Sequence, residues 1–129
     1  MNRFIIEDAN KDPKLYLNAS ILWLRDLGGG VVVSGLKSNL MQTLGAATDG
    51  ELKKVEGILS GHGVSLTWRR RGIPYRGNVV AAFATRGLIE ELDARDGIEN
   101  MLVLGWSPSD YKDWVNEHNP SRLQIKEER

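Results

Sequence analysis

The stretch VSLTWRRRGIPYRGNVVAAFA, residues 64–84, decides how the rest of the chain is arranged. Val64, Leu66 and Trp68 alternate with Ser65, Thr67 and Arg69, the period-two pattern of a strand with one buried face, here 64–69. Val79 to Ala84 is apolar throughout, which predicts a strand at 79–84 covered on both faces. Between them, residues 70–77 hold Gly72, Pro74 and Gly77, the residue types of a turn. Parallel strands are usually joined by about a dozen residues or more, so this connection predicts that the two strands are antiparallel neighbours.

Working upstream, Gly61-His62-Gly63 closes a helix from 49 to 60, whose Thr48 and Glu51 form a capping box. Asn39 with Gln42 has the same form and opens a helix through Ala47. Val31-Val32-Val33, bounded by glycines, predicts a strand at 31–36. Asp12-Pro13 combines an N-cap with a first-turn proline, and Leu17, Ile21, Leu24 and Leu27 follow at helical spacing, giving a helix over 13–27. Downstream, Thr85 caps a helix over 86–95, Met101 to Gly105 is a further buried strand, and Ser107-Pro108-Ser109-Asp110 starts a last helix to Glu117. The charged tail within 121–129 reads as flexible.

The central order β-α-β-β-α-β resembles the ferredoxin-like superfold, an α/β (α+β) core carrying an added N-terminal and an added C-terminal helix. The second arrangement compatible with the order is a small three-layer α/β sandwich with a mixed sheet. At 129 residues the chain reads as a single domain, 1–129. Ferredoxin-like domains serve enzymes, ligand sensors, RNA binders and dimerisation modules alike, so the resemblance implies no function.

Composition narrows the chemistry. The hydrophobic fraction of 41%, with 14 glycines and 26% charged residues, is that of a globular domain and excludes disordered and fibrous classes. The absence of cysteine excludes disulfides, thiolate-bound metals and thiol nucleophiles. With only His62 and His118 as histidines, no metal site assembles and no cofactor is expected. Asp110, Asp113 and Glu117 share one helical face beside His118 and read as a solvated face. His62, between glycines, reads as a capping side chain. No targeting segment or membrane span is visible, so a cytoplasmic protein is expected.

Two motifs fail on inspection. Gly35-Leu36-Lys37-Ser38 resembles the end of a phosphate loop, but leucine precedes the lysine and Val31 to Val33 belong in a strand. Gly105-Trp106-Ser107-Pro108-Ser109 stands where a nucleophile elbow would, yet Pro108 has no N–H to serve an oxyanion. His118 would lie roughly 15 Å or more along the same helix. No catalytic residue is assigned.

Charge is unevenly distributed. Residues 57–89 contain Arg69, Arg70, Arg71, Arg76 and Arg86 and no acid, whereas residues 90–119 carry eight acids against Arg95 and Lys112. With strand 79–84 antiparallel, the turn at 70–77 shares a sheet end with the start of helix 38–47. Lys37, Ser38, Asn39, Arg69, Arg70, Arg71 and Arg76 then form a candidate anion-binding group. The structural alternatives are that these arginines guard an edge strand or pair with acids of this chain. Thr85, Arg86, Trp106 and Ser107 form a candidate pocket at the opposite sheet end. The functional expectation is a non-enzymatic association module forming a homo-oligomer, with an edge strand and four tryptophans offering contact surface. Binding of a phosphate ligand, nucleotide or nucleic acid through the arginines is the alternative.

Overall fold

Asp12 and Pro13 start the first long helix as their types dictate, the Asp12 carboxylate accepting from the Leu15 amide at 3.2 Å. A computed structural model describes residues 1–71 and 76–123. Its strands are β1 Asn2–Ile6, β2 Gly30–Ser34, β3 Val64–Trp68, β4 Gly77–Ala82, β5 Ile98–Leu104 and β6 Ser121–Arg122. Its helices are α1 Pro13–Asp26, α2 Lys37–Leu44, α3 Asp49–Ser60, α4 Arg86–Asp93 and α5 Pro108–His118.

The six strands form one sheet in the order β3-β2-β4-β5-β1-β6, and every pairing is parallel. This overturns the ferredoxin-like arrangement. β3 and β4 are not neighbours: β2 lies between them, paired Val32↔Leu66 on one side and Val32↔Val80 on the other. Chain reach is the physical reason that the short connection misled. Eight residues can extend about 26–29 Å, whereas running back along one strand and across two strand spacings requires roughly 20–22 Å. No helix is needed to return the chain in parallel.

Two further expectations change. Residues 2–6, assigned to no element from the sequence, form β1, in register with β5 from Asn2↔Asn100 to Ile6↔Leu104. Within the tail, Ser121 and Arg122 pair with Phe4 and Ile5, and the Leu123 amide donates to Ile5 O at 3.0 Å. The rest of the tail, 124–129, lies outside the described residues, as do residues 72–75 of the expected turn. α2 also ends earlier than predicted, because Gly45 takes a left-handed conformation (φ +73°) at its C-cap.

Alternation along the strands divides the core in two. Ile5, Val31, Val33, Val79, Ala81, Met101 and Val103 meet Leu88, Ile89 and Leu92 of α4 and Trp114 of α5. The intervening residues, among them Ile6, Val32, Leu66, Val80, Leu102 and Leu104, meet Leu17 and Leu24 of α1, Leu40 of α2 and Leu52 of α3. The protein is therefore a three-layer α/β/α sandwich, as in the second arrangement, but around a wholly parallel sheet. Both strands read as continuously apolar are covered on both faces. Gly30 shows how closely the layers meet: an added Cβ would lie 2.4 Å from Asn78 O and 2.7 Å from Leu24 Cδ2.

Chain direction over this sheet positions the site. β1 and β2 are followed by helices on one face, β4 and β5 by helices on the other. At β2/β4 and again at β5/β1, adjacent strands send the chain to opposite faces, the topological switch points at whose carboxyl edge sheets of this kind bind ligands.

Candidate functional site at the carboxyl edge

Because β2, β4 and β5 are adjacent and parallel, the segments Gly35–Leu36, Phe83–Thr85 and Gly105–Ser107 leave the same edge side by side. The sequence expectation had put Trp106 and the arginine turn at opposite ends; the parallel direction of β4 and β5 brings Trp106, Thr85, Lys37 and Arg69 to one end.

Helix N-termini here differ from those elsewhere. α1 and α3 are closed by side chains: Asp12 caps the first, and Thr48 Oγ1 accepts from the Glu51 amide at 3.2 Å while the Glu51 carboxylate accepts from Ala47 N–H. α2 and α4, flanking the β2/β4 crevice, have no side-chain cap and no acid in the first turn, and each starts on a cation, Lys37 or Arg86. Leu36 and Thr85 occupy their N-cap positions, and the Thr85 hydroxyl caps nothing. The Asn39 amide is already bonded to Leu36 O at 3.2 Å, so Lys37 and Ser38 supply the unpaired amides of α2. The Ser107 hydroxyl, at the start of α5, meets Ser109 Oγ at 3.0 Å rather than a backbone amide. Asp110 lies in that helix's first turn.

An apolar row crosses the same strand ends. Leu36 is 59% and Trp106 51% exposed, and the half-buried Phe83 ring meets Trp106 edge-on at 5.6 Å. Phe83 has φ +51°, a left-handed backbone that a bulky side chain rarely adopts. Sequence reasoning placed Phe83 in strand 79–84 and Leu36 in strand 31–36, neither as a site residue; nothing local to either signals its place at the strand ends.

The predicted anion residues are placed as follows. Lys37 Nζ is 2.7 Å from Asp49 and 5.2 Å from the centre of the Trp68 ring. Its hydrogen bond and charge hold the Asp49 carboxyl below the usual range. Arg69 pairs with Glu91 at 3.1 Å, and Arg71 pairs with Glu56 while lying 4.7 Å above Trp68. Ser38, Asn39 and Arg70 are exposed. Arg76 does not join them: it precedes β4 and so stands at the amino edge. Of the predicted pocket residues, Arg86 turns toward α5, 2.9 Å from Glu90 and 2.9 Å from Asp113. The Glu90 hydrogen bond, then the Asp113 charge, raise its pKa further.

A second groove, of about 240 Å³, lies between α4 and α5, where Asp110, Asp113 and Glu117 face Arg86 and His118. Asp93 anchors its floor. It accepts from Arg3 Nε at 2.7 Å, Arg3 Nη2 at 3.2 Å and Trp114 Nε1 at 3.0 Å, with His118 Nε2 at 3.3 Å. Burial pushes the Asp93 carboxyl up, but the bonds from Arg3 and Trp114 and the charges of Arg3 and His118 outweigh it and leave the pKa lowered. At the end of α3 the closing bond comes from the His62 backbone amide to Leu59 O, at 2.9 Å, rather than from its imidazole. Among the described residues no group of three His, Asp or Glu side chains could hold a metal ion, and no helix is long and apolar enough to cross a membrane.

No protein family, curated protein or solved structure matches the chain. What the fold defines is therefore a class only, an all-parallel three-layer α/β domain.

Proposed function

We propose that the protein binds a small phosphate-bearing ligand in the crevice between β2 and β4. The observation that carries this reading is the convergence of two uncapped, acid-free helix N-termini, with Lys37 and Arg86, on adjacent strand ends where the sheet changes winding direction. Unpaired amides at the starts of α2 and α4 donate to the anion from the two faces of the sheet. Leu36, Phe83 and Trp106 offer an apolar surface for the remainder of the ligand. Lys37 and Arg86 are engaged with Asp49, Glu90 and Asp113, but exposed ion pairs are worth about 0–1 kcal/mol each, so a phosphate exchanges with them at little cost.

Ligand-linked stabilisation tests the reading. At a hundredfold excess over Kd, a ligand bound only by the folded state stabilises by about 2.7 kcal/mol. Thermal unfolding with inorganic phosphate and with nucleoside mono- and diphosphates should show a saturable rise, reduced in Lys37→Ala and Arg86→Ala. No rise with any of them at about 10 mM, where even weak millimolar sites fill, refutes the proposal.

Self-association is a second reading, favoured by the exposure of Leu22 on α1, Leu27 at its C-cap and Ile58 on α3, helices of one face. Light scattering of the protein and of Ile58→Lys tests it: a monomer in both at tens of micromolar removes it.

A further inference from the structure

The two helical layers differ in charge. α1, α2 and α3, on one face of the sheet, carry five bases against four acids; α4 and α5, on the other, carry six acids against Arg86 and Lys112. The acidic excess collects in the groove of about 240 Å³ between α4 and α5. Ile89 and Trp114 lie at its floor, and Glu90, Asp110, Asp113 and Glu117 stand along it. Arg86 answers Glu90 and Asp113. Among the described residues Asp110 has no cation within ion-pair distance, and Glu117 has only His118, at 3.9 Å. On the opposite face, Ile58 of α3 is 67% exposed, more than any other large apolar side chain among the described residues. Lys54, one turn before it on the same side of the helix, is exposed and makes no ion pair with a described residue. The one acid near them, Glu51, turns its carboxylate back onto the Ala47 amide, and Glu56 lies on the opposite side of the helix, paired with Arg71. Leu22, the exposed residue of α1, has Asn18 and Asp26 one turn away and so lacks a basic neighbour.

We propose that the α3 surface of one copy, Ile58 with Lys54, seats in the α4–α5 groove of a second copy. The proposal rests on the self-association reading and names the two surfaces that meet. A cavity of about 150 Å³ holds a benzene-sized molecule, so the groove has room for one branched aliphatic side chain. Ile58 covers Ile89 and Trp114, and the Lys54 ammonium meets the carboxylates beside them. The groove thus selects an aliphatic side chain with a cation one turn away; a neutral or acidic helix would leave its carboxylates unanswered. Gly57, with open space where a Cβ would go, lets the walls of the groove close on the neighbouring isoleucine. Because the two surfaces lie on opposite faces of one sheet, the contact is heterologous: each copy offers both, and copies add in series rather than stop at a twofold pair.

Two double variants test this by light scattering and sedimentation. Lys54→Ala, Ile58→Ser removes the projecting surface, and Asp113→Lys, Glu117→Lys reverses the groove. All four side chains are exposed, so the fold is retained, which circular dichroism checks. Wild-type particles should grow beyond the dimer as concentration rises to about 100 micromolar. Each variant alone should associate about tenfold or more weakly, the worth of burying one aliphatic side chain or answering one charge. An equal mixture of the two should recover association and stop at one-to-one dimers, because a single intact pair of surfaces remains. A wild-type monomer at about 100 micromolar overturns this proposal and the self-association reading together. Undiminished association in either variant, or a mixture without one-to-one dimers, overturns the contact between α3 and the groove alone.

Discussion

Replacing Asp93 by asparagine removes one charge from a junction that joins β1, α4 and α5. In the native protein its two carboxylate oxygens take both Arg3 donors and the Trp114 indole N–H, with His118 alongside. Asparagine retains one acceptor and turns an amide N–H₂ toward a group that also donates. The size of the loss follows from burial. Side-chain exposures of 27% for Arg3 and 15% for Asp93 place the pair between a surface ion pair and a buried one. Those limits are about 0–1 kcal/mol and about 3–5 kcal/mol, so a loss of about 2 kcal/mol is expected. With a urea dependence of about 1–3 kcal/mol per molar, the unfolding midpoint should fall by about 1 M. The melting temperature should fall by roughly 6–10 °C. The effect must also depend on pH. Asp93 has a folded pKa below its unfolded value near 3.9, so its contribution is complete above about pH 5 and disappears as pH falls through the folded pKa. Wild type and variant should therefore converge in acid. A loss below about 0.5 kcal/mol, or a difference unchanged between neutral pH and about pH 3, refutes this account of the junction.

Other substitutions probe particular features. Gly57 lies on α3 with open space where a Cβ would go, so Gly57→Ala should raise stability by up to about 1 kcal/mol in urea unfolding. Gly30→Ala should instead lower it by about 2–3 kcal/mol, because the new methyl overlaps Asn78 O and Leu24. Thr48→Ala should cost about 1 kcal/mol by opening the capping box of α3. Thr85→Ala, at an N-cap whose hydroxyl bonds nothing, should change stability by less than about 0.5 kcal/mol; a larger loss would show that the α4 N-terminus is capped after all.

Elements whose causes are local were legible in the sequence. Asp12-Pro13 and Thr48 with Glu51 start helices where their side chains bond the first amides, and most of the runs at 79–84 and 101–105, through Ala82 and Leu104, falls in strands covered on both faces. Strand direction was not legible, because its cause is not local. Whether β4 runs with or against β3 depends on β2 entering between them, thirty residues earlier in the chain, and an eight-residue connection is long enough for either outcome. β1 escaped for a related reason: a short segment such as Asn2–Ile6 becomes a strand through the neighbours it meets, β5 and β6, both far along the chain.

The direction of β4 also decided what could be read of the site. Lys37-Ser38-Asn39 and Thr85-Arg86 with Trp106 were each expected as candidate sites, but reversing β4 and β5 carries the second group away by a strand length, about 20 Å. In the parallel sheet the two groups become halves of one crevice. The arginine-rich middle and acid-rich end resolve along the same lines. Arg69 meets Glu91 and Arg86 meets Asp113, so segments adjacent in sequence neutralise each other on the face that carries α4 and α5. The Arg86–Asp113 pair is exposed, so on the proposed reading a ligand phosphate exchanges with Asp113 at small cost, whereas Arg69 pairs with a buried oxygen of Glu91. On the proposed reading, neutralised cations mark where an anion competes, and the uncapped starts of α2 and α4 decide where it binds.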